Sequence, residues 1–195
     1  MNFLKTVEGR KRFALVVASP EDDAPRAELA EWLRERQDPL GEFIALQLKK
    51  KKNPKREARL RMDHEADWLG AVHGIVDGQS IVFERGFVTS LRIEAPHDAP
   101  NREFLAELRA ATGHAALSLV KSLSLGPGVL EGYVHTRMGG LLQNRDKGTK
   151  IPIVGFLAHP VLDRLERLEV GYQPRGNVRA GLKAARPRLH INSVW

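Results

Sequence analysis

The densest group of residues that could support acid–base or metal chemistry is Asp63-His64-Glu65, followed by Asp67. Imidazole and carboxylate groups bind Zn²⁺, and histidine is the commonest general base in enzymes. However, adjacent positions on a helix point in different directions, so these four side chains cannot all reach one ion. We therefore expect no metal site here, and no other segment of the sequence indicates a cofactor.

The sequence also lacks the motifs of common enzyme active sites. Cysteine is absent, which excludes a thiol nucleophile and a thiolate metal site. Residues 140–145 resemble a phosphate-binding loop only in part, because Arg145 stands where its second glycine belongs. The histidines are scattered, and nothing orients a serine–histidine–acid triad around any of them. We therefore predict that the protein has no catalytic residues and is not an enzyme.

The charges of the chain are distributed in blocks, and the net charge is +7 at pH 7. Residues 19–48 carry a net charge of −5, residues 49–61 one of +7, and residues 170–195 one of +5. The middle block could bind phosphates, which makes nucleic-acid binding an alternative function. Its candidate contacts are Lys49, Lys50, Lys51, Lys52, Lys55, Arg56 and Arg59. No aromatic residues lie among them for base stacking, and pairing with the acidic block is the other interpretation.

The first 75 residues have the pattern of helices. Ser19-Pro20-Glu21-Asp22 combines a capping hydroxyl, a proline and acids, which indicates a helix start. Asp38-Pro39-Leu40-Gly41 ends this helix, and a second begins near Glu42. Asn53-Pro54 ends the second and opens a third. We predict a helical subdomain over residues 1–75.

From about Gln79 the pattern changes to short strands. Arg85-Gly86 lies between two β-type runs and indicates a hairpin. Three later segments, each preceded by a helical stretch, repeat the apolar-x-apolar core of leucine-rich repeats. The aligned apolar positions are Leu91, Leu123, Leu168 and Leu189. Their intervals are unequal, and residues 128–150, rich in glycine and charge, indicate an insertion.

The repeated segments predict the fold class. Each helix-and-strand segment has an apolar face too small to be buried alone, so stacked segments share one core and a parallel sheet. We therefore expect an α/β protein in which residues 76–195 form a short, irregular leucine-rich-repeat-like array. The sheet should be mostly parallel, with the helical residues 1–75 capping the open end of the array.

The residues between the apolar strand positions should point to solvent together and form a binding surface for a protein partner. The candidate contacts are Arg92, Glu94, Ser124, Arg167, Glu169, Arg188, His190 and Asn192. The simpler interpretation is that they are only the hydrated side of a sheet. A more specific variant is an immunity protein that neutralises a partner toxin.

Part of the helical region carries a more specific motif. It comprises Asp22-Asp23-Ala24-Pro25-Arg26, Leu29 to Leu33 with Trp32, Asp38 to Ile44 with Gln47, Asp67-Trp68-Leu69-Gly70 and Arg85-Gly86-Phe87-Val88. These residues resemble the bacterial repeat-companion domain, a family found next to leucine-rich repeats. The resemblance covers about residues 13–95, with Glu31 and Gln37 standing where the family pattern has aspartate and glycine. It implies no catalytic activity and suggests an interaction role.

Two features predict a cytoplasmic protein that does not enter a membrane. The apolar run at residues 13–18 is shorter than the roughly 7–15 residues of a secretory signal and the about 20 of a membrane span. The absence of cysteine fits a reducing compartment.

Overall fold

The structure is a computed structural model, and it describes residues 1–50, 52–95, 101–126, 129, 152–171 and 176–193. Its helices are α1 (Val7–Ala18), α2 (Ala24–Arg34), α3 (Pro39–Leu48), α4 (Pro54–Leu69), α5 (Asn101–Ala111), α6 (Pro152–Ala158) and α7 (Gly176–Ala185). Its strands are β1 (Val82–Glu84), β2 (Phe87–Ile93), β3 (Ser122–Leu125), β4 (Arg167–Val170) and β5 (His190–Ser193). Among the described residues, no helix is both long and apolar enough to span a bilayer.

The five strands form one sheet in the order β1-β2-β3-β4-β5. Strands β2 to β5 are parallel to one another. The predicted α/β class with a mostly parallel sheet is therefore confirmed. The insertion expected at residues 128–150 lies, apart from Val129, outside the described residues.

The chain divides into two compact units. The first contains Met1–Gly70 and Phe83–Val88, and the second contains Ala71–Val82 and Thr89–Trp195. The sequence pattern predicts a single boundary near residue 75. In the structure the turn between β1 and β2 belongs to the helical unit, and the contacts of that turn give the physical reason.

The helices of the first unit begin where a side chain accepts an otherwise unpaired N–H group. Thr6, Asp38 and Asn53 each accept a backbone N–H at the start of α1, α3 and α4, which is how N-cap residues stabilise helices. Because Asp38 is the cap, α3 begins at Pro39 and not near Glu42. The segment from Ser19 to Asp22 precedes α2, which itself begins at Ala24.

Aromatic rings form the core of the first unit. Phe43 packs on Trp68 with ring centroids 4.8 Å apart, and on Phe83 at 5.4 Å. Phe13 of α1 lies 5.5 Å from Phe87 of β2. Aromatic pairs contribute roughly 0.5–1.5 kcal/mol each beyond the burial of their area. These pairs hold the β1–β2 turn segment against the helices.

The turn between β1 and β2 fits closely against α3. Arg85 and Gly86 both have positive φ, at 51° and 90°, as in the type I′ turn of tight hairpins. The Gly86 N–H donates to Oε1 of Gln47 at 2.6 Å. A Cβ at Gly86 would overlap Cγ1 of Ile44 and lie 2.9 Å from its Cβ. Glycine is therefore required here by both the backbone and the packing.

The apolar positions of the second unit lie in one layer, with one change of register. Leu91 pairs with Leu123, and Leu123 with Leu168. At β5, however, Leu168 pairs with Ile191, so the predicted alignment of Leu168 with Leu189 is wrong. Leu189 lies before the strand, where its N–H donates to Arg186 O at 3.1 Å and closes a turn.

Two strands of this unit are preceded by the same type of turn, capped by a histidine. Nδ1 of His114 accepts the N–H of Ala116 at 3.3 Å before β3. Nδ1 of His159 accepts the N–H of Val161 at 3.1 Å before β4. An imidazole nitrogen accepts a hydrogen bond only when it carries no proton. Burial lowers the pKa of His114 below its ordinary value, which favours this neutral form.

The His114 cap predicts a loss of stability in mild acid. As the pH falls through the ordinary histidine pKa of about 6.5, the unfolded chain binds a proton that the folded chain resists, so the free energy of unfolding should decrease. In His114→Asn the amide oxygen can cap the same turn without titrating. We therefore expect the wild type to lose more stability than His114→Asn in urea titrations between about pH 7.5 and about pH 5.5. Equal losses in the two proteins would contradict the prediction.

Arg186 connects the last two helix-and-strand segments. Its guanidinium donates to the carbonyls of Leu157 at 2.5 Å and His159 at 2.6 Å, and it lies 3.3 Å from a carboxylate oxygen of Asp163. The carbonyls in the last turn of a helix lack partners within the helix. Arg186, whose side chain is 11% exposed, therefore completes the C-terminal end of α6.

Candidate partner-binding face

The second unit has helices on one side of its sheet. Strands β2 to β5 follow one another in sheet order, and α5, α6 and α7 connect them. Right-handed crossovers in this order place all the connecting helices on the same face. Leu91, Leu123 and Leu168 lie on that face and are at most 1% exposed. The residues that alternate with these leucines along each strand belong to the opposite face.

The opposite face displays two rows of side chains across the four strands. One row contains Ser90, Ser122, Arg167 and His190, and the other contains Arg92, Ser124, Glu169 and Asn192. Neighbouring strands are about 4.8 Å apart, so the side chains in a row are evenly spaced. None of these eight residues is buried, and Arg167, His190 and Asn192 are exposed. The sheet therefore presents a polar face to solvent, most openly at β4 and β5.

The rows carry charges of both signs. Nε of Arg92 lies 3.2 Å from a carboxylate oxygen of Glu94, so these two charges largely neutralise each other. Within the described part of the chain, neither Arg167 nor Glu169 forms an ion pair, and both charges can meet a partner. The two opposite charges of the face that are free to contact a partner, Arg167 and Glu169, thus both lie on β4.

A flat face of this kind suits a macromolecule better than a small molecule. Small ligands bind in concave, mostly apolar sites, whereas the two rows form an extended polar surface. No family model, curated protein or solved structure matches this chain. The use of the face is therefore inferred from its geometry.

The structure places most of the predicted partner contacts in these rows. The six that lie there are Arg92, Ser124, Arg167, Glu169, His190 and Asn192. Glu94 follows β2 and pairs with Arg92. Arg188 is exposed but precedes β5, so it lies outside the rows because the strand begins later than its sequence alignment indicates.

The basic block is divided between structural and exposed positions. Arg59 lies 2.8 Å from a carboxylate oxygen of Asp63, and Lys52 donates to the Gln47 carbonyl at 2.8 Å. The other four lysines are distributed as follows: Lys49, Lys50 and Lys55 are exposed, and Lys51 lies outside the described residues. Proteins that grip nucleic acid strongly through charge use about 6–10 phosphate contacts. These three exposed lysines are fewer than this, which weakens the nucleic-acid alternative.

Arg56, the remaining candidate contact of the block, lies in a groove of the first unit. Its Nε and Nη2 donate to the two carboxylate oxygens of Glu42 at 2.7 and 2.6 Å. This hydrogen bonding lowers the pKa of Glu42, with help from the charges of Arg34 and Lys49. The groove has a volume of about 520 Å³ and also contains Asp38, which caps α3. Both of its carboxylates therefore have partners, and His64 also lines the groove.

The groove has no signal in the sequence, because its lining comes from positions far apart in the chain. The ion pair at its centre links α3 to α4, and it joins the acidic block to the basic block as one interpretation of the charges predicts. A spacing argument cannot find such a pair, since it depends on how the two helices pack.

The acidic cluster near His64 has local roles. Asp63 pairs with Arg59, and Glu65 lies 2.6 Å from Arg61. The His64 ring lies 6.0 Å from the Trp68 ring. Among the described residues, no group of three or more histidine, aspartate and glutamate side chains is placed to hold a metal ion.

Proposed function

We propose that this protein is a non-enzymatic interaction module that binds a protein partner on the open face of its parallel sheet. The observation that carries the proposal is the register of β2 to β5, which aligns two rows of polar and charged side chains. A rigid sheet holds these side chains in fixed positions, so binding requires little additional ordering. The opposite charges of Arg167 and Glu169 favour a partner with a complementary pair and would supply specificity.

Two features of the first unit support the resemblance to the repeat-companion family. Gln37, where the family pattern has glycine, has a φ of 56°, and this left-handed conformation favours glycine. The motif residues Ile44, Gln47 and Gly86 also meet at one junction. Because that family accompanies leucine-rich repeats, the resemblance is consistent with an interaction role, and the lack of cysteine suits a cytoplasmic setting.

A crosslinking experiment tests the proposed face directly. A photo-reactive amino acid is placed at Ser124, within the rows, and in a control protein at Ala106, which is exposed on α5. We expect one protein to be captured from cell extract at Ser124 and not at Ala106. Capture of the same proteins at both positions would contradict the proposal.

The purified partner then allows a quantitative prediction. Arg167→Glu should weaken binding by roughly tenfold or more, because it reverses a charge at the centre of the face. The matched variant Arg109→Glu, at an exposed position of α5, should change the affinity by no more than about twofold. Both variants should keep the thermal stability of the wild type, since both side chains are solvent-exposed. Equal losses of affinity in the two variants would contradict the proposal.

The nucleic-acid alternative has a different signature. It requires a gel shift that weakens steeply with salt and disappears when Lys49, Lys50 and Lys55 are neutralised. That result, combined with no effect of Arg167→Glu, would replace the proposed function.

A further inference from the structure

The two outer strands of the parallel part of the sheet, β2 and β5, differ in how their outward backbone groups are paired. On the β2 side, residues of the second unit cover the backbone. Asp77 N–H donates to Arg92 O at 3.0 Å, Glu94 N–H to Ile75 O at 3.1 Å, and Arg92 N–H to Oγ of Ser80 at 3.0 Å. Within the described residues, no strand pairs with the other edge, which belongs to β5.

The free backbone groups of β5 can be assigned from its hydrogen bonds. His190 N–H donates to Glu166 O at 2.9 Å, so the backbone groups of His190 and Asn192 point towards β4. Backbone groups alternate in direction along a strand. Ile191 and Ser193 therefore direct an N–H and a C=O outwards, where no described residue pairs with them. Leu189, just before the strand, is already occupied, because its carbonyl accepts from Nζ of Lys183 at 2.6 Å.

The end of the unit that contains this edge is uniformly basic. From Val170 to Trp195 the sequence has five lysines and arginines and no aspartate or glutamate. Arg179, Lys183 and Arg188 are exposed, and none of them pairs with a carboxylate of the described residues. Arg186 is the member of this group that contacts an acid, Asp163. The segment that forms the open edge thus carries positive charge and has no acid of its own.

We propose that the outer edge of β5 binds an extended acidic peptide segment of a partner protein, which adds to the sheet as a further strand. Open edge strands are templates for such pairing because main-chain groups supply the affinity. The positive charge of the segment that contains β5 indicates which kind of strand would bind at this edge. A second copy of this chain would bring the same basic segment, which contains no acid, whereas an acidic peptide has the complementary charge.

The register of β5 also predicts which side chains should alternate along the bound peptide. Ile191 is half-buried on the leucine side of the sheet, and His190 and Asn192 are exposed on the open side. An added strand alternates its side chains in the same way. Its apolar residues would extend the layer that ends at Ile191, and its acidic residues would lie beside His190 and Arg188. This surface is distinct from the open face itself, so the inference does not depend on the proposed function.

The test uses a labelled peptide of alternating valine and glutamate with the full-length protein at low salt. We expect saturable binding by fluorescence anisotropy, with slower amide exchange at Ile191 and Ser193 by nuclear magnetic resonance. A peptide with lysine in place of glutamate should not bind. A glutamate peptide that is N-methylated on one backbone edge should bind roughly fivefold to tenfold more weakly, because it cannot complete the ladder.

A protein variant separates strand addition from charge attraction alone. Ser193→Pro removes an outward N–H without touching the bonds to β4, and proline is tolerated at such edge positions. It should fold with the stability of the wild type and lose roughly fivefold to tenfold in affinity. Arg188→Gln should also weaken binding, and the loss should shrink as salt is added.

Several results would overturn the proposal. They are failure of the acidic peptide to bind, equal binding of the N-methylated peptide, and equal binding of a charge-matched oligonucleotide. Self-association of the protein that Ser193→Pro abolishes would assign the edge to a second copy instead.

Discussion

Replacing Gly86 with alanine should lower the free energy of unfolding by about 2–6 kcal/mol, much of the stability of an ordinary domain. Two costs contribute to this loss. A non-glycine residue at a φ of 90° is strained, and the new Cβ overlaps Ile44, which is fully buried. Denaturation followed by tryptophan fluorescence measures the effect, since Trp32 and Trp68 both lie in the first unit.

Two further variants distinguish these costs. Gly78→Ala is the matched control, because a Cβ at Gly78 meets no atom within 4 Å, and its stability should change by less than about 0.5 kcal/mol. Ile44→Ala makes space for the new methyl group. The double variant Gly86→Ala with Ile44→Ala should therefore be less destabilised than the sum of the single changes. If the two losses of stability simply add, the contact with Ile44 is not a cause of the destabilisation at position 86.

Replacing Arg186 with methionine should destabilise the second unit by about 2–4 kcal/mol, because it removes charged hydrogen bonds to two carbonyl groups and leaves them without those donors. Methionine keeps much of the aliphatic volume, so the change mainly reports the guanidinium. Denaturant titration gives the overall loss. Hydrogen exchange should show faster opening of α6, whose C-terminal carbonyls Arg186 holds.

The control for this prediction is Arg179→Met, a surface change on α7. Arg179 is exposed and has no described partner, so its replacement should cost less than about 0.5 kcal/mol. The loss of stability in Arg186→Lys should lie between those of Arg179→Met and Arg186→Met, because an ammonium group cannot reproduce the planar fork of a guanidinium. If the two methionine variants were equally stable, the role assigned to Arg186 would be wrong.

The features predicted from sequence are those that depend on local patterns. Alternating apolar residues around Leu91, Leu123 and Leu168 are sufficient to predict strands in one layer, and the structure pairs these three as expected. The Arg85-Gly86 hairpin also follows from a local signal, since a tight turn needs residues that tolerate positive φ.

The features missed from sequence depend on contacts between distant residues. Nothing near Arg186 indicates that it caps α6, and nothing near Gln47 indicates that it holds Gly86. The sequence pattern places the start of β5 too early, because Leu189 is apolar like a strand residue but belongs to the preceding turn. Apolar character predicts burial at such a position, but it does not distinguish a strand from the turn that leads into it.

The register between β4 and β5 determines which side of the sheet each β5 side chain occupies. Side chains alternate with a period of two, so a slip of β5 along β4 by two residues keeps His190 and Asn192 on the same side. A slip by one residue would turn these polar side chains towards the helices and Ile191 towards water. Changes in chain length before β5 therefore preserve the open face only where the preceding turn absorbs them without a one-residue slip.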